Sequence, residues 1–323
     1  MNLIAQYQEL IGNLLDGAPF KSHQPTTLYA PCDYILGIGG KRLRPVLTLL
    51  GTHLFGGDES LAIQPALAIE YFHNFTLMHD DIMDEAPLRR GKPTVHLKYD
   101  TNTAILSGDA LLIQSYAQFN ALPAQQFKDI VQLFTKTAAE ICEGQQLDMN
   151  FETQEKVHFE QYIEMIRLKT SVLIGAALEI GAIIAEANEV DRKNLYAFGV
   201  NLGIAFQLKD DYLDVFGQQD FGKIHAGDII ENKKTILYIQ ALEVAEGENL
   251  KELMFWYGTK TDNVDKVYAV EKIFKNLKVD ETVMDLINAY TEKGLAHLDL
   301  IQIPEEKKSI LRDFAISLID RQI

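Results

Sequence analysis

Prolines crowd the first third of the chain, at positions 19, 25, 31, 45, 65, 87, 93 and 123, and none follows until Pro304. Inside a helix a proline costs about 3 kcal/mol, because it removes a hydrogen bond and its ring collides with the preceding turn. A long proline-free stretch with apolar residues every three or four positions is what stacked helices require. Leu195, Phe198, Leu202, Ala205 and Leu208 form one such stripe, and Ile273, Leu277, Val283, Leu286 and Ile287 another. Alternating strand patterns closed by Asn-Gly or Asp-Gly turns are hard to find; the one Asp-Gly, Asp16-Gly17, ends the first helical stretch. The expected fold is all-α. No Ser/Gly-rich linker, low-complexity run or solenoid repeat divides the sequence, so residues 1–323 are expected to form one large helical domain.

Of 323 residues 47% are hydrophobic, enough for a large packed core, while 46 acidic against 30 basic side chains leave a formal charge of −16. Nucleic acids and anionic membrane surfaces recruit proteins through excess Lys and Arg, so neither is an expected partner. A polyanionic substrate must then be caught by a local basic cluster or through a metal. The two cysteines, Cys32 and Cys142, stand far apart and support neither a disulfide framework nor a thiolate zinc site. The N-terminal stretch carries Glu9 and Asp16 where a secretory signal is basic and then uninterruptedly apolar. The most apolar segment, residues 171–187, is broken by Glu179 and falls short of the roughly 20 residues that cross a bilayer. A cytoplasmic protein without a membrane span is expected.

Two stretches share one pattern, Asp80-Asp81-Ile82-Met83-Asp84 and Asp210-Asp211-Tyr212-Leu213-Asp214, each after a long apolar helical run. Alone, either could be a solvated helix end. On a helix, however, residues i and i+4 share a face, which sets Asp80 over Asp84 and Asp210 over Asp214. Like charges stacked near a helix C-terminus, where the dipole is also negative, call for a cation. Carboxylates without His or Cys select hard cations, and magnesium binds through one or two carboxylates plus waters and substrate phosphates. The pattern points to a phosphate ester whose leaving diphosphate is stabilised by metal.

A chain this acidic places its cations selectively. Gly39-Gly40-Lys41-Arg42-Leu43-Arg44-Pro45 packs three cations into four positions, and Leu88-Arg89-Arg90-Gly91-Lys92-Pro93 follows the first aspartate cluster; Lys169-Thr170, Lys223 and Lys233-Lys234 come later. Each run alone reads as a solvated face. Interleaved with the acidic motifs they suggest two anion pockets, one reached through metal and one built from Arg and Lys directly. The glycines before Lys41 let backbone approach a phosphate, although the Walker A spacing is absent.

The ordered strings GGKRLRP, LMHDDIMDEAPLRRGKPTVH, FQLKDDYLDVFG and GKIHAGDIIENKKT resemble those of the trans-isoprenyl diphosphate synthases, the polyprenyl synthetase family. The resemblance implies an all-α isoprenoid-synthase fold with a central apolar cavity, a homodimer, and head-to-tail condensation of an allylic diphosphate (dimethylallyl, geranyl or farnesyl) with isopentenyl diphosphate. It makes Asp80, Asp84 and Asp210 ligands of three magnesium ions, with Asp81, Asp211 and Asp214 in support. Arg89, Lys169, Thr170, Gln207, Lys223 and Lys233 match positions that grip the allylic diphosphate. Lys41, Arg44, His73 and Arg90 match those that grip isopentenyl diphosphate. Only the allylic partner loses its diphosphate, so only it needs metal. Ile224, His225 and Ala226 depart from the Pro-x-Gly of many relatives, which puts the geometry of that loop in question. His79 has no assigned role beyond packing or a hydrogen bond, and residues 143–148 resemble another segment of the family, assigned to the cavity wall.

Counting back from Asp80, Thr76, Phe75 and Phe72 lie about 6, 7.5 and 12 Å down the helix axis. Each of these aromatics could equally be plain core. In the family, an aromatic five places before an uninserted DDxxD with a small residue at four resembles the geranylgeranyl (C20) enzymes, which makes Phe75 the expected floor. Farnesyl (C15) or longer polyprenyl products are the alternatives. A terpene cyclase fits the second motif poorly, and a silent subunit of a heteromeric synthase would have lost motif residues that are complete here.

Overall fold

The computed structural model describes residues 3–217, 225–259, 261 and 264–320, and they are helical almost throughout. The all-α expectation holds. The contacts group into two compact units, one of residues 1–135 and 176–195, the other of residues 136–175 and 196–323.

The first unit contains α1 (Leu3–Asp16), α2 (Thr26–Gly37), α3 (Leu43–Leu54), α4 (Glu59–Met83), α5 (Val95–Lys98) and α6 (Thr101–Ala117). It also takes the start of α7 (Ala124–Thr153), the end of α9 (Val172–Ile184) and the start of α10 (Glu189–Phe216). α4 is its centre, packed on α3 and α6. Phe72 of α4 is buried beside Phe134 of α7, edge to face at 5.1 Å between ring centres, and Phe119 and Tyr116 flank Phe134 at 5.1 and 5.0 Å. Such edge-on pairs add about 0.5–1.5 kcal/mol beyond area burial. α3 meets the end of α9 at paired glycines: a methyl on Gly51 would strike the Leu178 carbonyl at 2.4 Å, and one on Gly181 the Thr48 carbonyl at 2.1 Å. No helix among the described residues is long and apolar enough to cross a membrane; α9 is apolar because it is buried in protein.

The second unit contains the rest of α7, α8 (Phe159–Ile166), a single π turn at Arg167–Ser171, the start of α9, the rest of α10, α11 (Gly227–Ile230), α12 (Ile236–Val244), α13 (Gly247–Tyr257), α14 (Val264–Asn276), α15 (Val279–Leu300) and α16 (Glu305–Ile319). α12, α14 and α15 pack on one another, and their Leu237, Val270, Ile273, Val283 and Ile287 are buried.

Two local features differ from the sequence reading. Pro31 and Pro65 sit inside α2 and α4 rather than between helices. Each stands within the first two turns, and the residues four places earlier, Thr27 and Leu61, are exposed, so water can bond the carbonyls that the prolines leave unbonded. The run Leu88–Pro93 is a two-stranded hairpin, β1 (Leu88–Arg89) with β2 (Lys92–Pro93). Its turn, Arg90-Gly91, has positive φ at both residues (52° and 73°), as a tight hairpin turn requires.

Candidate active site

In the first unit the DDxxD motif closes α4, with Asp84 as C-cap donating its amide to the Asp80 carbonyl at 2.9 Å. Asp84 is exposed and Asp80 partly so. Asp81, one residue further round the helix, is buried. It accepts from Arg89 Nε at 2.8 and 2.9 Å and from Nη2 at 2.6 Å. Burial pushes the Asp81 carboxyl up, and the Arg89 guanidinium offsets this only in part. Arg89 Nη2 also lies 3.8 Å from Asp80. The motif thus separates into outward carboxylates, Asp80 and Asp84, and an inward one that anchors an arginine.

The cations of GGKRLRP separate in the same way. Arg42, the α3 N-cap in a left-handed conformation (φ 49°), is buried; it donates to Glu70 Oε1 at 2.5 Å and to the Leu36 carbonyl. Lys41 is exposed, and Arg44 Nη1 donates to His73 Nε2 at 3.1 Å. The His73 pKa is held well below its ordinary value, by burial first and then by the charges of Arg44, Arg90, Arg89 and Arg42, so the imidazole is neutral and accepts from Arg44. Gly39 and Gly40 both have positive φ (96° and 129°). A methyl on Gly40 would meet the Arg90 guanidinium at 2.5 Å, so the glycine makes room for an arginine that donates to the Gly39 carbonyl.

His79, which had no assigned role, lies 3.1 Å from the Ile105 carbonyl, and a methyl on Gly108 would strike its ring at 2.3 Å. Phe75 packs edge-on against that imidazole at 4.8 Å. Thr76 donates to the His73 carbonyl at 2.8 Å. Five residues of helix turn through about 140° beyond a full circle, so Phe75 stands well round α4 from Asp80, whereas Thr76 and Phe72 lie nearer its face.

In the second unit, Asp211 is buried and fully engaged. It accepts from the Tyr162 hydroxyl, from Gln207 Nε2 at 3.2 Å and from the Ile236 amide at 3.3 Å. Burial pushes its carboxyl up to about 6. Thr170 Oγ1 donates to Gln207 Oε1 at 3.4 Å. The side chains of Thr170 and Gln207, expected to grip a diphosphate, are bonded to each other, and Gln207 also to Asp211. Asp211 itself, expected as a metal ligand, is turned inward like Asp81. Asp214 Oδ2 accepts the Asp228 amide at 3.0 Å, and its carbonyl accepts the Ala226 amide at 2.9 Å, which ties α10 to the start of α11. Ala226 adopts φ 52°, the left-handed conformation that glycine takes most readily.

Lys169 sits in the π turn, where such irregularities often mark function. Its Nζ lies 2.6 Å from Asp148, and Gly144 packs so closely that a methyl would meet the Lys169 amide nitrogen at 2.3 Å. Of the lysine pair, Lys234 donates to the carbonyls of Phe151 at 2.7 Å, Glu152 at 3.3 Å and Gln154, capping α7. Lys233 Nζ instead lies 3.2 Å from Glu231 and 3.9 Å from Asp228. Asp228 is the functional candidate that the sequence reading missed, although it stands inside the GKIHAGDIIENKKT string. Its pKa is raised well above the ordinary carboxylate value, by burial first and then by Asp214 and Asp211. Lys223 and Ile224 lie outside the described residues.

Among the described residues, no three His, Cys, Asp or Glu side chains converge as a ready-made cage. The outward donors are carboxylate oxygens alone. This set fits magnesium, which keeps its waters and completes its shell with substrate phosphate, and fits neither zinc nor a soft metal.

The model of the polyprenyl synthetase family matches residues 25–274. The chain is 38% identical over 303 residues to a geranylgeranyl pyrophosphate synthase of Geoglobus acetivorans, covering 93% of each chain. It is 33% identical to a geranylfarnesyl diphosphate synthase of Natronomonas pharaonis, with 98% of this chain and 96% of that one covered. A crystal structure of geranylgeranyl pyrophosphate synthase superimposes with a TM-score of 0.95 at 43% identity, covering both chains entirely.

Proposed function

The chain belongs to the polyprenyl synthetase family and is an enzyme of the trans-prenyltransferase type, and from that premise we propose that it joins isopentenyl diphosphate head-to-tail to an allylic diphosphate, with geranylgeranyl diphosphate as the product. The observation that carries this reading is on α4. His73 with its arginines, and Asp80 with Asp84, occupy one face of that helix, seven residues and about 10 Å apart. A direct cationic grip and a metal-mediated one on a single helix suit two diphosphates, of which only one leaves. The match from residue 25 to residue 274 runs through both units and supports reading them as one functional domain.

Asp80, Asp84, Asp210 and Asp214 would hold the magnesium ions. When bound, magnesium supplies Lewis acidity to the departing diphosphate. Asp81 and Asp211 act from behind, one fixing Arg89 and the other fixing α10 against Tyr162. Arg89, Lys169 and Lys233 grip the allylic diphosphate, a role the family pattern also gives to Lys223. Lys41, Arg44, His73 and Arg90 hold isopentenyl diphosphate with its double bond toward the forming cation. The allylic C–O bond breaks with its electron pair on the diphosphate. The isopentenyl double bond then attacks the carbocation, and the proton lost from the new cation goes to the released diphosphate. Purified protein given magnesium, isopentenyl diphosphate and a farnesyl primer is expected to yield an acyclic C20 diphosphate. A cyclic hydrocarbon, or no product, would overturn the reading.

Product length follows from the aromatic wall of α4. Phe72 is locked among Phe134 and Phe75 as core, whereas Phe75 stands at the edge of that cluster against His79. Phe75→Ala is expected to shift the main product from C20 to C25 or longer, measured by chromatography of the dephosphorylated alcohols. An unchanged distribution would remove Phe75 from this role.

The chain is further proposed to work as a cytoplasmic homodimer. Ile105, Leu106 and Ile113 line the outer side of α6 at 41%, 59% and 67% exposure, a hydrophobic stripe suited to a second copy of the same helix. Light scattering is expected to give twice the chain mass of 36.4 kDa, and a particle of single-chain mass would contradict the dimer.

A further inference from the structure

The segment from His225 to Lys233 carries Asp228 and Lys233, and it is held at both ends by α14, a helix with no assigned part in the reaction. At the near end, His225 Nε2 lies 2.7 Å from Glu271 Oε1. At the far end, the fully buried Lys266 donates from Nζ to Asn232 Oδ1 at 2.5 Å, to the Thr259 carbonyl at 3.1 Å and to the Ile230 carbonyl at 3.3 Å. Those three bonds use every donor of its ammonium group. Asn232, in the left-handed conformation at φ 59°, donates in turn toward the Thr259 carbonyl at 3.4 Å.

A buried lysine is a costly way to pack a helix, since a charge taken from water must be repaid by bonds of good geometry. An apolar residue would fill the same volume more cheaply; what the lysine adds is a fixed position for the backbone at Ile230 and Asn232. The segment has reason to be held. The Asp228 amide donates to Asp214 Oδ2 at 3.0 Å and the Ala226 amide to the Asp214 carbonyl at 2.9 Å, so the placing of the segment also sets the placing of Asp214. Behind them the Tyr257 ring stacks on Tyr238 at 4.0 Å. The Tyr257 hydroxyl is buried without a hydrogen-bond partner among the described residues. After burial, Asp228 is the largest influence raising its pKa.

We propose that Glu271 and Lys266 are positioning residues, which hold the His225–Lys233 segment in place against Asp214 and so set the affinity for the metal-bound diphosphate. The proposal rests on the reading that Asp214, Asp228 and Lys233 face that diphosphate. Neither residue touches substrate; both act through the segment. Removing outer partners of this kind typically weakens metal binding roughly 10 to 100-fold.

The test is calorimetric titration of the full-length protein with inorganic pyrophosphate in saturating magnesium, for the wild type, Glu271→Ala, His225→Ala and the double variant, with Lys266→Met as a second probe. Glu271→Ala is expected to weaken pyrophosphate binding about tenfold and to raise KM for the allylic diphosphate in parallel. KM for isopentenyl diphosphate and the melting temperature should not move, because the His225–Glu271 pair is partly exposed and adds little stability. The double variant should bind no more weakly than either single one, as expected of two groups in one interaction. Lys266→Met should weaken binding further, with a lower melting temperature. Wild-type binding by both Glu271→Ala and Lys266→Met, or additive losses in the double variant, would overturn the proposal alone. A wild-type protein that ignores pyrophosphate in magnesium would overturn the reading beneath it.

Discussion

Replacing Asp80 by Asn is expected to lower kcat/KM about a thousandfold or more while leaving the folded chain as stable as before. The loss follows from the work asked of this carboxylate. If it holds metal against a departing diphosphate, its removal strips charge stabilisation that exists fully only in the transition state, and single groups in that position are typically worth 10²–10³ in rate, with metal loss adding more. The stability expectation comes from the same geometry read the other way. Asp80 and Asp84 stack one turn apart at the negative end of α4, so removing one charge relieves about 0.2–0.5 kcal/mol of repulsion. Arg89 keeps its principal partner, Asp81. Steady-state kinetics and thermal unfolding of one preparation check both halves. A fall of less than tenfold, or a clear loss of stability, would assign Asp80 to structure instead of chemistry.

The largest effect on stability is expected from a charge that never meets substrate. Arg42→Ala leaves Glu70, 2% exposed, with its carboxylate buried, still bonded by Asn74 but without its ion-pair partner. Breaking a buried ion pair from one side costs about 3–5 kcal/mol, because the remaining charge is stranded. For a chain of this size that is a fall of roughly five degrees in melting temperature. The loss has a functional echo, since Arg42 opens α3 and also fixes the turn before Arg44; KM for isopentenyl diphosphate should rise in whatever fraction stays folded. The double replacement Arg42→Met with Glu70→Leu should recover much of the stability, because matched apolar side chains replace buried pairs at little cost. A single replacement that shifts the melting point by a degree or two would show that the pair is solvated.

Helical class and the face shared by Asp80 and Asp84 were legible in the sequence because both depend on local periodicity. The inward turn of Asp81 and Asp211 follows from the same arithmetic: in DDxxD the second acid sits about 100° round the helix from the first, on the side that packs. What could not be read was who waits there. Tyr162 lies 49 residues from Asp211 in sequence, and the Ile236 amide is brought in by a different helix. Likewise Lys41, Arg42 and Arg44 look alike in the string GGKRLRP, and only the backbone turn through Gly39 and Gly40 decides that Arg42 goes inside. The hairpin was missed because Arg90-Gly91 is not among the common turn pairs, although its glycine supplies the required conformation. For Phe75, depth below Asp80 was readable but direction around the helix was left out, and direction is what sets it against His79.

The proposed function requires that each of the two aspartate motifs be needed for magnesium-dependent binding of a diphosphate. Calorimetric titration of inorganic pyrophosphate into the wild type, Asp80→Asn and Asp210→Asn, with and without magnesium, tests it directly. The expected result is one pyrophosphate bound per chain only when magnesium is present, and binding lost in either variant. Pyrophosphate that binds the wild type equally well without the metal, or that binds one of the variants undiminished, would contradict it.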